Sequence, residues 1–282
     1  MGSRCTIVIE SASEPLAAHA AADAFAEIAR IEQSLSDYRP NSESMQLMHL
    51  PKDTWHPVSE HLYAVMELSE DIHKASGGAF DPTIGSVTHL WRKPVDPSRS
   101  QIGRALERTG LSKIQLHPDR SNLRFSTPGM ILDFGGIGKG YAAQRALMRI
   151  RSHGFEIATV DLGGDLALGA PPSGQPDGWR VEVVTGIRAS RIEYLSRCAV
   201  ATSGDLERFI EYQGQKYSHI IDPSTGFGIP QRRAATVVAS DGAVADALAS
   251  AASVLGPDNL SQLRAAYPNA SIEVIIHPET EQ

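Results

Sequence analysis

Apolar residues recur along the chain with two periods, one typical of helices and one typical of strands. The alanine-rich segment Leu16–Leu35 places its larger apolar side chains three or four positions apart, at Phe25, Ile28, Ile31 and Leu35. That spacing puts them on one face of an amphipathic helix. The same kind of pattern predicts helices at His61–Ser76, Lys139–Arg151, Val244–Leu255 and Asn259–Ala266.

Short apolar runs between these helices predict strands. Ile114–Leu116 and Leu123–Phe125 flank the turn sequence PDRSN, a combination typical of a hairpin. Further strands are predicted at Met130–Leu132, Ile157–Leu162, Trp179–Val184, Lys216–Ile221, Thr236–Ala239 and Ile272–Ile276. Because the strands come in clusters, without strict alternation of strand and helix, the pattern favours an α+β fold.

The composition is that of an ordinary globular protein. Of 282 residues, 41% are hydrophobic and 21% are charged, which is enough for a large core in one domain or in two closely packed ones. The formal net charge is −7 and no long basic block occurs, so we expect no nucleic-acid partner. An acidic protein that binds a phosphate-rich ligand needs a local device, such as a metal ion or a glycine-rich helix start.

Cysteine usage and hydropathy bear on the compartment. Cys5 and Cys198 are too few for a disulfide framework and are predicted to be buried free thiols. No apolar run approaches the ~18 residues of a membrane helix, and no secretory signal pattern opens the chain. We expect no transmembrane segment. The sequence as it stands predicts a cytoplasmic protein, or an extracytoplasmic one if a leader has been removed.

One glycine-rich segment combines a predicted strand, a turn and a helix. It reads ILDFGGIGKGYAAQRA over Ile131–Ala146. Glycines let the backbone approach a ligand closely, and a helix start offers free N–H groups to an anion. Asp133 and Lys139 lie on either side of the turn. The glycine spacing is neither a Walker A motif nor a clean dinucleotide fingerprint, so a tight turn with a surface lysine is the alternative.

The helix at Val244–Leu255 carries a carboxylate in unusual surroundings. Asp246 and Ser250 are four residues apart, and therefore on one side of the helix, among alanines and serines rather than charged residues. A charge among small residues needs a partner, and a hard cation with oxygen ligands is one. The alternative is an aspartate in contact with solvent or with a second subunit.

Three further motifs contain polar residues next to turns. GGAFDPTIG places Asp81 after a glycine stop, and YSHIIDPSTG places His219 at the end of a strand. ATSGDLERF offers Ser203 or Asp205 as the cap of a following helix. Each is more often structural when it occurs alone: Asp-Pro marks a turn, and a strand histidine is usually a satisfied core residue.

Taken together, these segments resemble the ApbE-type FAD:protein FMN transferases. The resemblance runs from the start of the chain to about Leu263. It rests on seven pieces in the order that the family has them: SDYRPNSE, FDPTIGSVTHLW, DFGGIGKGYAAQRA, DLGGD, ATSGD, YSHIIDPSTG and ADALASAASVLG. No single piece is decisive, whereas seven in order are highly specific.

The resemblance implies a fold and an activity. It implies one large T-fold-like α+β flavin transferase domain over residues 1–282. Members of the family use magnesium and move the FMN part of FAD onto a threonine or serine hydroxyl of an acceptor protein, with release of AMP. The acceptors are flavin-carrying subunits of redox complexes, so the resemblance predicts such a protein as the partner.

The resemblance also assigns roles to positions of this sequence. The histidine near the reacting phosphate corresponds to His219, which we expect to activate the acceptor hydroxyl. The metal ligands correspond to the carbonyl of Gly136 and the side chains of Asp246 and Ser250. The flavin contacts correspond to Met1, Tyr38, Ala79, Phe80, Asp81, Asp133, Lys139 and Ile221.

Two positions depart from the family pattern. Ser250 stands where threonine is usual, although its hydroxyl can serve the same purpose, and Met48 stands where many members have asparagine. Some members hydrolyse FAD to FMN and AMP instead of transferring FMN. The alternatives to a transferase are therefore a magnesium-dependent FAD pyrophosphatase and a flavin-binding protein without turnover.

Overall fold

Helices and a large antiparallel sheet make up the fold in a computed structural model that describes residues 2–186, 189–204 and 209–276. The helices are α1 (Glu14–Leu35), α2 (Glu43–Leu47), α3 (Glu60–Ala75), α4 (Gly85–Trp91), α5 (Arg99–Leu106), α6 (Gly138–Ser152), α7 (Gly242–Leu255) and α8 (Ser261–Ala266). The strands are β1 (Cys5–Ile9), β2 (His56–Pro57), β3 (Ile114–Leu116), β4 (Asn122–Phe125), β5 (Ala158–Leu162), β6 (Asp165–Leu168), β7 (Trp179–Gly186), β8 (Ala189–Leu195), β9 (Ala199–Gly204), β10 (Phe209–Tyr212), β11 (Gln215–Ser218), β12 (Arg233–Ala239) and β13 (Ser271–Ile276).

The main sheet has six strands in the order β1-β5-β6-β9-β12-β13. Every neighbouring pair is antiparallel. Strand β5 alternates between buried and half-buried residues, which is the pattern of a strand with one face against the core. An antiparallel sheet with helices packed against it is the α+β arrangement that the sequence predicted, and that prediction is confirmed.

Helices α6 and α7 pack side by side on this sheet, and α1 packs on α6. The two inner helices approach each other closely where each has a glycine. A Cβ added to Gly140 would lie 2.0 Å from the carbonyl oxygen of Gly242. Only glycine allows two backbones to come this close, so this crossing sets the position of α7 relative to the start of α6.

Helix α7 is buried around most of its circumference. The sequence predicted an apolar stripe and a separate side with small residues and Asp246. Ala247, Leu248 and Ala251 of the stripe are buried as predicted, whereas Val244, Val254 and Leu255 are half-buried. Ala245, Asp246 and Ala249 on the other side are buried too. A helix that is apolar all round belongs inside the protein, and α7 lies between the sheet, α6 and α3.

Smaller elements surround this core. Strands β2, β4 and β3 form a three-stranded sheet, in which β3 and β4 make the predicted hairpin with Ile114 opposite Phe125. Strands β7 and β8 pair in a hairpin, as do β10 and β11. Within the described residues, no helix is both long enough and apolar enough to cross a lipid bilayer.

The predicted strand at Met130–Leu132 is wrong. Both named residues are buried, but the segment pairs with no strand among the residues that the structure describes. Instead it packs against the turn before α4: the backbone N–H of Asp133 donates to the carbonyl of Pro82 at 2.7 Å. A Cβ on Gly85 would lie 2.5 Å from the carbonyl oxygen of Ile131. The apolar run predicts the burial correctly, but the segment packs against a turn and not against a strand.

The first four residues of the motif ATSGDLERF lie in a strand, and not at the start of a helix as predicted. Ser203 does not cap a helix; it lies in β9 opposite Ala235 of β12. Asp205 lies outside the described residues, and the chain resumes as strand β10. The two cysteines are free as predicted, but they are half-buried rather than buried. Partial burial raises the pKa of both thiols.

Candidate functional site

A cavity of about 520 Å³ opens beside the start of α6. Its volume is typical of a site for a small organic ligand. Ten of the twelve predicted site residues line it: Tyr38, Ala79, Phe80, Asp81, Asp133, Gly136, Lys139, His219, Ile221 and Ser250. Asp246 lies beside Lys139 just behind the wall, and Met1 lies outside the described residues.

Asp133 fixes one corner of the cavity. Its Oδ1 accepts a hydrogen bond of 2.8 Å from the backbone N–H of Gly135. Its Oδ2 accepts from the hydroxyl of Thr88 at 2.7 Å and from the guanidinium of Arg92 at 2.8 Å. The carboxylate therefore holds the glycine turn and α4 in place, and it keeps a negative charge at the mouth of the cavity.

The same corner of the cavity carries a cation–π pair, formed by Arg92 and Tyr38. Tyr38 is 74% exposed, and the guanidinium of Arg92 lies 4.3 Å from the centre of its ring. Arg92 also forms an ion pair with the buried carboxylate of Asp37, which has His89 Nε2 at 3.2 Å. Burial alone would raise the pKa of Asp37, but the hydrogen bond with His89 and the charge of Arg92 lower it.

The segment Ala79–Phe80–Asp81 forms the floor of the cavity. Phe80 and Asp81 are both buried. The Asp81 carboxylate accepts from the backbone N–H of Thr83 at 2.8 Å and caps the short 3₁₀ turn that follows. The imidazole Nδ1 of His73 lies 2.9 Å from the carbonyl oxygen of Phe80. This bonding makes Asp81 a backbone-holding residue at the edge of the site.

Lys139 stands between two buried carboxylates. Its ammonium forms an ion pair with Asp165 and lies 3.8 Å from Asp246 Oδ1. Burial would lower the pKa of Lys139, but the charges of Asp246 and Asp165 outweigh it and raise the pKa. Burial and the charge of Asp246 raise the pKa of Asp165. Lys139, which the family resemblance assigns to flavin contact, lines the cavity, and its ammonium faces two protein carboxylates.

The three residues predicted to bind a metal ion lie on the turn before α6 and on α7, where Asp246 precedes Ser250 by one helical turn. A Cβ on Gly136 would lie 2.6 Å from Ser250 Oγ, so the turn and the hydroxyl are in close contact. Asp246 Oδ2 accepts the backbone N–H of Gly140 at 3.0 Å, which orients this carboxylate. Within the described part of the chain, no hydrogen bond uses the Gly136 carbonyl or the Ser250 hydroxyl.

His219 lies at the rim of the cavity. It is the first residue after β11 and it is exposed. Two residues later, Ile221 is buried and pairs with Gly228, which closes a turn. In that turn, Asp222 Oδ1 accepts the backbone N–H of Ser224 at 2.8 Å. The turn therefore holds His219, an exposed residue, at the cavity.

Several polar residues of the site were not predicted. Those whose partners are described above are Asp37, Thr88, Arg92 and Asp165. Arg92 and Asp133 are 41 residues apart in the chain, and Arg92 and Asp37 are 55 apart. Local periodicity carries no information about such pairs. The available signals were the pieces SDYRPNSE, FDPTIGSVTHLW and DLGGD, which contain Asp37, Thr88 and Asp165.

The chain was compared with known proteins. The profile of the ApbE family matches residues 1–276. The FAD:protein FMN transferase of Treponema pallidum is 31% identical, in a match that covers 95% of this chain and 80% of the relative. The FAD:protein FMN transferase of Klebsiella pneumoniae is 30% identical, over 82% of this chain and 70% of the relative.

Solved structures show the same similarity. The apo form of the flavinyl transferase ApbE of Pseudomonas stutzeri matches 99% of this chain and 92% of its own, with 27% identity and a TM-score of 0.85. The ApbE protein of Thermotoga maritima matches 98% of this chain and 91% of its own, with 31% identity and a TM-score of 0.85. These matches span nearly the whole chain and confirm the resemblance seen in its motifs: the protein belongs to the ApbE family.

Proposed function

We propose that this protein is an FAD:protein FMN transferase that uses magnesium to move FMN from FAD onto a threonine or serine hydroxyl of an acceptor flavoprotein. AMP is the second product. The observation that carries the proposal is the cavity, which gathers the residues assigned to flavin, metal and catalysis from distant parts of the chain. The names of the relatives in Treponema pallidum and Klebsiella pneumoniae support the same activity.

The proposed flavin end lies between Tyr38 and Phe80. Tyr38 offers an exposed ring on one side, and Phe80 contributes to the buried floor. Large flat ligands bind well between such apolar and aromatic surfaces, with a few polar groups to orient them. Arg92 and Asp133 supply those groups at the same corner.

The residues between α6 and α7 fit a magnesium ion. Magnesium prefers oxygen ligands, and it is usually held by one or two protein groups together with substrate phosphates and water. The Gly136 carbonyl, the Asp246 carboxylate and the Ser250 hydroxyl offer three oxygens next to the cavity. One lysine there faces two carboxylates. The carboxylates outnumber the protein's own cation, which would favour the binding of a second cation. When bound, magnesium would offset the negative charge of the FAD phosphates.

His219 is the proposed general base. The acceptor hydroxyl oxygen attacks the phosphorus of the FMN half of FAD, and the bond from that phosphorus to the bridging oxygen breaks. The hydroxyl proton passes to the His219 imidazole, and AMP leaves with the bridging oxygen. A histidine suits this role because its ordinary pKa lies near neutral pH. Its exposure at the rim lets a protein acceptor reach it.

The test follows AMP release and flavin fluorescence of the acceptor band in a denaturing gel. The protein is incubated with FAD, magnesium and a recombinant flavin-acceptor domain. We expect AMP and a fluorescent acceptor with the wild type, and a loss of about 100-fold or more in rate for His219→Gln with FAD affinity retained. The matched control is His117→Gln, which changes a half-buried histidine beside Asp119 that does not line the cavity.

The other outcomes separate the alternatives. AMP and free FMN without a labelled acceptor would identify a pyrophosphatase. Bound FAD without any AMP would identify a flavin-binding protein. Equal rates for His219→Gln and the wild type would refute the base assignment while leaving the transferase activity intact.

A further inference from the structure

Two histidines and an aspartate form a cluster at the far end of α6 from the cavity. His19 and Asp23 are one turn apart on α1, and His153 is the cap residue at the end of α6. One possible ligand atom from each residue lies within 4.8 Å of the others. Lys139 and His153 are at opposite ends of α6, about 20 Å apart along the helix axis, so this cluster is separate from the flavin cavity.

We infer that His19, Asp23 and His153 form a surface site for a divalent transition metal ion of the zinc class, which clasps α1 to α6. Two imidazole nitrogens and one carboxylate are the donor set that zinc and its neighbours in the first transition series accept. Three protein ligands leave a fourth position for water. Magnesium binds poorly to a ligand set with two nitrogen atoms, because it prefers oxygen ligands.

The geometry brings all three side chains together. His153 Nε2 lies 2.9 Å from Asp23 Oδ2, and the His19 and His153 rings meet edge to face with their centres 5.3 Å apart. The hydrogen bond joins Asp23 and His153, and the ring contact brings His19 to the same pair. Donor atoms around a tetrahedral zinc ion lie about 3.4 Å apart. All three residues are exposed or half-buried, so small side-chain rotations suffice to reach that spacing.

Charge favours the same conclusion. The hydrogen bond from His153 holds the pKa of Asp23 below its usual value, so the carboxylate is ionised at neutral pH. On binding, the metal ion would take the place between His153 Nε2 and Asp23 Oδ2 that their hydrogen bond now occupies. Asp23 then remains bound to a positive centre in place of the imidazole N–H.

The two clasped helices both reach the flavin cavity at their other ends. The chain leaving α1 supplies Asp37 and Tyr38, and the start of α6 supplies Gly138 and Lys139. A metal ion at the remote end would therefore hold together the two helices that frame the cavity. We expect the bound ion to raise the thermal stability of the protein, because an ion bound only by the folded state stabilises that state.

The test is zinc binding by the tag-free full-length protein in the presence of excess magnesium, measured by isothermal titration calorimetry. Wild type is expected to bind one zinc ion at this site, with affinity at least tenfold weaker in both His19→Ala and Asp23→Asn. The matched control is His117→Ala. His117 Nδ1 lies 3.0 Å from Asp119 Oδ1, but no third metal-ligating side chain among the described residues joins this pair. This variant is expected to bind zinc as the wild type does.

A second readout is independent of calorimetry and of enzymatic turnover. Zinc is expected to raise the melting temperature of the wild type by about 3 °C or more at saturation, and to leave that of His19→Ala unchanged. His19 is exposed on a helix, and alanine favours helices, so this variant should fold. Equal zinc affinity and equal melting shifts in the wild type and His19→Ala would overturn the inference, as would the absence of zinc binding by the wild type.

Discussion

Two carboxylates of the site, Asp133 and Asp246, each hold the backbone with one oxygen and face a cation with the other. Asp133 accepts the N–H of Gly135 through Oδ1 and the guanidinium of Arg92 through Oδ2. Asp246 accepts the N–H of Gly140 through Oδ2, and its Oδ1 faces Lys139. Charge and local geometry are therefore coupled, so that removing one of these side chains changes both.

Tyr38 allows binding to be tested almost separately from stability. Because its side chain is 74% exposed, Tyr38→Ala should change the free energy of unfolding by no more than about 0.5 kcal/mol. The same change removes an aromatic surface from the cavity, so we expect FAD affinity to fall about tenfold or more. Fluorescence titration with FAD and urea denaturation measure the two effects.

Tyr194→Ala provides the matched control for this prediction. Tyr194 is 53% exposed on β8 and does not line the cavity. Its removal should leave FAD affinity unchanged. If both tyrosine variants bound FAD as tightly as the wild type, Tyr38 would have no part in flavin binding.

Asp37 makes stability depend on pH in a defined direction. Its pKa is lowered in the folded protein because the partners His89 and Arg92 outweigh the effect of burial. A carboxylate with a lowered pKa stabilises the fold above its unfolded pKa of about 3.9, and this stabilisation is lost as the pH falls through the folded pKa.

We therefore expect Asp37→Asn to cost about 1–3 kcal/mol of unfolding free energy at pH 6. The gap between variant and wild type should narrow between about pH 5 and pH 3. Urea denaturation across this range measures it. A gap that stays constant down to pH 3 would show that the charge of Asp37 contributes nothing to stability.

The sequence predicted which residues gather at the site better than it predicted their partners. His219, Ser250 and Asp133 belong to recognisable motifs and do line the cavity. The ion pair of Arg92 with Asp37 joins a helix end to a loop 55 residues away. Such pairs arise from chain packing, and a single sequence contains no periodic signal for them.

The contact between α6 and α7 sets the geometry of the proposed metal site. Gly140 and Gly242 lie where the two helices touch, and Asp246 follows one turn later on α7. An alanine at position 140 would bring its Cβ within 2.0 Å of the Gly242 carbonyl oxygen and 2.7 Å of Asp246 Cβ. The neighbouring atoms belong to a helix backbone, so they cannot simply rotate away.

Gly140→Ala should therefore lower the free energy of unfolding by about 3 kcal/mol or more, because overpacked helices must separate. The control is the same change at Gly103, inside α5, where an added Cβ meets no atom within 4 Å. There alanine should stabilise by about 0.5–1 kcal/mol. Thermal denaturation compares the two variants, and equal stability would contradict the close crossing.

Long periodic elements were predicted well, whereas two short segments were not. The observed α1, α3, α6 and α7 agree with the predicted helices to within two residues at each end, because their apolar spacing extends over several turns. Met130–Leu132 is too short for its burial to reveal whether a strand or a turn lies beside it. The strand β9 contains small residues that equally fit a helix cap, so tertiary pairing decides.

The cavity draws on the whole length of the described chain. Ser3 lies near its start, Asp133 near its middle and Val254 near its end, and all three line the cavity. A ligand that contacts such distant segments should stabilise the fold as a unit. We expect saturating FAD, in EDTA to prevent turnover, to raise the melting temperature of one cooperative transition by several degrees. Scanning calorimetry would contradict this if FAD shifted only part of the unfolding heat.

The most direct measurement for the whole molecule is the intact mass of the acceptor after reaction with FAD and magnesium, with AMP quantified in the same sample. We predict that the acceptor gains the mass of FMN less one water, that one AMP appears for each modified acceptor, and that an acceptor with alanine at the target threonine or serine stays unmodified. An acceptor of unchanged mass, with FAD fully converted to FMN and AMP, would contradict the transfer of FMN.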